Sequence, residues 1–90
     1  MSFLDQEQIH RLRAEYGTPL YIYDQKSLET ATRRVLDFPH ANAFTARYAM
    51  KALPTAAIVR LLNQMGLHID ASSGFEAERA LLAGVAPQEI

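Results

Sequence analysis

From residue 43 onward the sequence alternates between a two-residue and a helical apolar period, and this alternation limits the fold more than any other feature. In residues 43–50, AFTARYAM, Phe44, Tyr48 and Met50 share one parity, while Thr45, Arg47, Ala49 and then Lys51 share the other. That pattern predicts a strand ending on Lys51. Pro54 stands where a helix takes its first residue, and Ala57, Ile58, Leu61, Leu62 and Met65 form a broad apolar stripe before Gly66. Residues 67–71, LHIDA, predict the next strand. Ser72-Ser73-Gly74 supplies a turn and an N-cap, Ala77, Ala80 and Leu81 face inward, and Gly84 closes the helix. Residues 87–90 read as the approach to a further strand. Strand, helix, strand, helix with tight turns is the order of a parallel sheet under helices. Two such strands leave unpaired backbone on both edges, so the chain is expected to be unfinished at Ile90. A (β/α) barrel takes roughly 250 residues, and these units would be its opening part.

Upstream, Ile9, Leu12 and Tyr16 recur at helical spacing over residues 4–16, with Glu7/Arg11 and Arg11/Glu15 four apart on the polar side. Gly17 and Thr18-Pro19 stop that helix. Residues 19–23, PLYIY, predict a short strand with proline at its tolerated first position. Asp24 can cap the next helix by accepting from backbone N–H groups, and Leu28, Ala31 and Val35 give it a stripe up to about Asp37. Phe38 to Asn42 reads as a loop. No low-complexity tract or linker marks an internal boundary.

Composition removes several classes. At 90 residues the chain is at most one small domain, able to bury about 60–65% of its unfolded surface. Nine Lys plus Arg against ten Asp plus Glu, with the signs interspersed, leave no clustered cationic face for a nucleic acid. The absence of Cys removes disulfides and thiolate metal sites, and three scattered His supply no metal cluster. Apolar runs are too short to span a membrane, and the acidic start MSFLDQEQIH is unlike a secretory leader, so the cytoplasm is the default location.

Lys51 is the first candidate for chemistry, because α/β folds place their sites at the carboxyl ends of parallel strands. Ala49, Met50, Ala52 and Leu53 flank it, and desolvation by such neighbours frees an amine for Schiff-base chemistry. The plainer reading is a lysine that ends a strand and reaches into solvent. Asp70 ends the neighbouring strand and would sit on the same rim, as the partner of a positive charge or as a helix-capping aspartate. The N–H groups of Ser72, Ser73 and Gly74 could receive an anion, although such turns are common. Glu76 either points back to the strand ends or favours the helix dipole. His10, His40 and His68 have no partner at motif spacing and read as surface or half-buried residues. No nucleophile-elbow, zincin, P-loop or dinucleotide motif occurs.

Tyr48-Ala49-Met50-Lys51-Ala52 with Pro54, a helix ending at Gly66, then Asp70-Ala71-Ser72-Ser73-Gly74-Phe75-Glu76 and Glu78-Arg79-Ala80 resemble the pyridoxal-phosphate-dependent decarboxylases of the alanine-racemase-like fold. Residues 16–24, YGTPLYIYD, are similar to that family's lead-in segment. The resemblance implies an α/β chain in which residues 1–24 are a lead-in helix and a strand of a C-terminal β-domain. Residues 25–90 would then be the first units of a pyridoxal-phosphate-binding (β/α)8 barrel. It implies that Lys51 bonds to pyridoxal phosphate, that Ala49 packs beside the cofactor, that Asp70 lies close to both, and that Glu76 supports that corner. No metal is implied.

The reaction implied is decarboxylation of a small amino acid, first of all meso-diaminopimelate to L-lysine, with ornithine, lysine or arginine as alternatives. The partner implied is a second copy of the chain, with the active site at the interface and the phosphate loops beyond Ile90. Leu53 replaces an Asn that many members carry, and Arg47 shares Lys51's parity with no assigned role. A non-catalytic pyridoxal-phosphate carrier would lack the lead-in strand, against which residues 19–24, PLYIYD, argue. An assembly fragment pairing its open sheet edges is the other alternative.

Overall fold

The computed structural model describes residues 3–90. The first two residues of the acidic start therefore lie outside the described residues.

Helix α1 (Gln6–Tyr16) is set by its ends. The Asp5 carboxylate accepts from the Gln8 backbone N–H at 2.7 Å, and the Gln8 amide oxygen accepts from the Asp5 N–H at 3.0 Å. At the other end the Gly17 N–H donates to the Arg13 carbonyl at 2.9 Å. Since α1 buries none of its residues, these local bonds carry much of its definition.

Residues 18–24 bend at 18–19 and form no strand, contrary to the expectation for 19–23. The composition favours a strand, but a strand also needs a neighbour, and among the described residues the sheet pairs only β1 (Arg47–Ala49) with β2 (His68–Asp70). Tyr21 is 87% exposed.

Helix α2 (Gln25–Leu36) follows Asp24 at the N-cap. The Asp24 carboxylate accepts from the Ser27 hydroxyl at 2.6 Å rather than from a backbone N–H, which differs from the expected cap. The inward face also differs, consisting of Leu28, Thr32 and Leu36 rather than Leu28, Ala31 and Val35. Thr32 is only 4% exposed because its hydroxyl donates to the Leu28 carbonyl at 2.8 Å, which satisfies the polar atom inside its own helix.

Strands β1 (Arg47–Ala49) and β2 (His68–Asp70) pair in parallel, with Arg47 opposite His68, Tyr48 opposite Ile69 and Ala49 opposite Asp70. β1 is shorter than its alternating run of residues because pairing stops at Ala49. The chain then turns through a 3₁₀ segment (Met50–Ala52), so the strand does not end on Lys51. Pro54 lies outside the next helix, α3 (Ala56–Gln64), whose N-cap is Thr55. Proline disfavours a helical residue before it, and Leu53 is accordingly extended at φ −162° and ψ 100°.

The core lies on one face of the sheet and joins two clusters. Met50, Val59, Ile69, Ala80, Ala83 and Val85 form the first, with α4 (Gly74–Leu82) contributing Ala80. Ile58, Leu62 and Leu67 form the second, against Leu28, Leu36 and Leu53. Tyr48 packs against both. α3 is buried on two sides, which is why Val59 belongs to the core although the expected single stripe omitted it. Between α3 and β2, Gly66 has φ +119° and lies where a Cβ would come within 3.7 Å of Leu36, so the backbone angle rather than space demands glycine. Residues 87–90, expected to approach a strand, contain a 3₁₀ turn (Pro87–Glu89). Among the described residues no helix is long and apolar enough to cross a membrane.

Truncation at the centre of this core should be costly. Ile69→Ala is expected to lower the unfolding free energy by about 2–5 kcal/mol. Leu82→Ala, at a side chain 79% exposed, should change it by less than about 0.5 kcal/mol. Urea unfolding of both variants checks the contrast.

Candidate functional site

Residues paired across the ladder project to the same face, so Tyr48 and Ile69 face the helices while Arg47, Ala49, His68 and Asp70 lie on the opposite face. Parallel pairing also brings both carboxyl ends to one rim. Ala49 and Asp70 are register partners there, and Lys51 follows Ala49 by two residues. The 3₁₀ turn sends Met50 inward, where it is fully buried, and leaves Lys51 exposed. The apolar neighbours of Lys51 in sequence therefore do not desolvate it in this chain, and the plainer reading, a lysine reaching into solvent, describes its side chain. Asp70 is exposed too, and among the described residues neither its side chain nor that of Lys51 takes part in a hydrogen bond or ion pair. The rim presents a primary amine and a carboxylate that are both open to a ligand.

Tyr48 was legible in the sequence only as part of a motif. In the structure its hydroxyl donates to the Leu53 carbonyl at 2.9 Å, bridging the turn that carries Lys51. The available signal was parity, because a tyrosine on the core face of a strand must find a partner for its hydroxyl. Burial pushes the Tyr48 phenol above the ordinary 10.0, and the nearby Tyr23 adds to the rise.

The start of α4 is closed by its own side chains. The Ser73 hydroxyl accepts from the Glu76 N–H at 3.1 Å, and the Glu76 carboxylate accepts from the Ser72 N–H at 2.8 Å. Glu76 thus reaches back to the segment that follows β2 while sitting in the first turn of the helix, so the two readings of it coincide. Of the Ser72, Ser73 and Gly74 N–H groups that could receive an anion at this turn, that of Ser72 is already taken.

The histidines lie elsewhere. His10 is exposed on α1, and His40 shares a hydrogen bond with the Phe38 carbonyl at 2.9 Å and stacks on Phe44. His68 sits at the amino end of β2, with Nε2 3.8 Å from the Glu89 carboxylate and a buried Nδ1 that has no partner among the described residues. Among the described residues no group of three or more metal-ligating side chains exists.

Residues 23–90 match the family described as pyridoxal-dependent decarboxylase, pyridoxal binding domain. The chain belongs to that family. It is 40% identical over 81 residues to a diaminopimelate decarboxylase of Streptomyces coelicolor, covering 90% of this chain and 17% of that protein. It is 35% identical over 85 residues to the Escherichia coli K12 protein of the same name, covering 94% of this chain and 19% of the relative. A Methanothermobacter thermautotrophicus diaminopimelate decarboxylase is 38% identical over 81 residues, covering 88% of this chain and 19% of the relative. The chain thus spans about a fifth of the length of the curated relatives it matches.

The decarboxylase family's cofactor is an aldehyde that condenses with amines, and the chemistry of the rim fits it. Lys51 offers an accessible primary amine without a competing partner, and Asp70 supplies a negative charge at the next strand end.

The raised Tyr48 pKa has a stability consequence. A phenol with a higher pKa folded than unfolded stabilises the fold fully below about pH 10, and that contribution is lost as pH rises through the folded value. Wild-type stability should therefore fall above pH 10 more steeply than that of Tyr48→Phe, measured by urea unfolding between pH 9 and 11.

Proposed function

We propose that these residues form the opening part of the pyridoxal-phosphate-binding (β/α)8 barrel of an amino-acid decarboxylase, with Lys51 as the residue that bonds the cofactor. The observation that carries this reading is the unpartnered amine of Lys51, exposed just past the carboxyl end of a parallel strand in a chain of this family. Residues 1–24 would be the lead-in helix and a segment completing a β-domain, which agrees with residues 18–24 forming no strand within this chain. Residues 25–90 would supply the first β/α units. A second copy of the chain would complete the site across a homodimer interface.

In this reading Lys51 would hold pyridoxal phosphate through its Nζ, and the amine of the amino-acid substrate would take that place on binding. Pyridoxal phosphate when bound supplies a conjugated ring that accepts the electron pair left as carbon dioxide departs. The Asp70 carboxylate offsets positive charge near Lys51 Nζ. Ala49, a small half-buried residue beside Asp70 in register, leaves room for the ring. Glu76 holds the Ser72 backbone and so fixes the segment after β2. The names of the relatives support meso-diaminopimelate as substrate, giving L-lysine and carbon dioxide, ahead of ornithine, lysine or arginine.

The 90 residues alone are expected to bind pyridoxal phosphate weakly and to release no carbon dioxide. A chimera in which they replace the matching segment of the Escherichia coli relative tests the reading directly. It should release carbon dioxide from meso-diaminopimelate, and Lys51→Ala should lower that rate at least about 10³-fold. A folded chimera that leaves meso-diaminopimelate intact, or a Lys51→Ala form as active as its parent, contradicts the proposal.

A further inference from the structure

The Lys51 side chain touches no hydrogen-bonding partner among the described residues, so the place of its amine is set by the backbone of the 3₁₀ turn. Three contacts hold that turn. Met50 is fully buried against the first cluster and anchors the residue before Lys51. The Leu53 N–H donates to the Met50 carbonyl at 3.2 Å. The Tyr48 hydroxyl donates to the Leu53 carbonyl at 2.9 Å, and this is the only side-chain hydrogen bond that spans Lys51 among the described residues.

The Tyr48 ring is itself a fixed point, because it lies opposite Ile69 in the ladder and packs against both hydrophobic clusters. Its hydroxyl therefore ties the far side of the turn to the core, whereas Met50 ties only the near side. Pro54 follows with no N–H to donate and keeps Leu53 extended, so no continuing helical bond can hold Leu53 in place of the tyrosine.

We infer that Tyr48 is a positioning residue for Lys51: by holding the Leu53 carbonyl it fixes the turn that presents the Lys51 amine on the carboxyl rim. The inference rests on Lys51 being the cofactor lysine. It assigns Tyr48 a part in the site although the tyrosine lies on the opposite face of β1 and meets no ligand.

Tyr48→Phe in the full 90-residue chain keeps the packed ring and removes only the donor. Two readouts are taken on both forms: amide hydrogen exchange, and the borohydride-fixed modification of Lys51 by pyridoxal phosphate. Lys26, the other lysine of the chain, serves as internal reference. Wild type should be modified at Lys51 in preference to Lys26. In Tyr48→Phe, exchange at the Leu53 amide should quicken roughly fivefold, as loss of one ordinary hydrogen bond gives. Exchange at Val59 and Ala80 should stay unchanged, and the preference for Lys51 should fall by a similar factor. A uniform rise in exchange along the chain, or an unchanged Leu53 amide with the preference for Lys51 intact, overturns the positioning role. A wild-type chain with no preference for Lys51 overturns instead the reading of Lys51 on which the inference rests.

Discussion

Parallel pairing of β1 with β2 is the constraint on which the rest of the structure depends. Two parallel strands cannot be joined by a tight turn, so a crossover helix must leave one strand at its carboxyl end and return to the other at its amino end. α3 is that crossover, and its Ile58, Val59 and Leu62 bury the face of the sheet that carries Tyr48 and Ile69. The same geometry brings Ala49 and Asp70 together at one rim, because parallel strands end on the same side. The opposite end of the sheet carries Arg47 and His68, with Glu89 beside the histidine. A carboxyl rim that brings Ala49 and Asp70 together with Lys51 just beyond, and an amino end that carries Arg47 and His68, therefore follow from one topological choice.

What was legible in the sequence was what local chemistry decides. The end of α1 follows from Gly17, whose N–H bonds back within one helical turn, whereas the Asp5–Gln8 capping box at its start is seen in the structure alone. The cap of α4 follows from Ser73 and Glu76 through equally local bonds. The β/α order survives because the hydrophobic period changes with each element, and the rim position of Lys51 follows from that order. What failed needed a distant partner. Residues 19–23 have strand composition but pair with no strand among the described residues, and the alternating run of residues 43–50 outlasts its pairing.

Burial was misread wherever polarity and position disagreed. Thr32 lies inside because its hydroxyl is satisfied by its own helix, while Val35 faces out, and Val59 is buried because α3 packs on two sides. Lys51 is exposed, as the plainer of its two readings has it, because the 3₁₀ turn sends Met50 inward in its place. The tie from Tyr48 to Leu53 closes that turn, and no motif spacing announces it. The residues that define the site chemically and the residues that hold it in place thus came from different sources, the first from the sequence and the second from the packing.

The most direct measurement of the central claim is a titration of the isotope-labelled chain with pyridoxal phosphate, followed through its amide resonances. The expected result is that shifts concentrate at Ala49, Lys51, Asp70 and Ser72 on the carboxyl rim, while His68, Glu89 and the residues of α1 stay in place, and that Lys51→Ala removes the effect. Shifts centred on Lys26 or on the His68 end of the sheet, or an unaltered response in Lys51→Ala, would contradict the placement of the cofactor at Lys51.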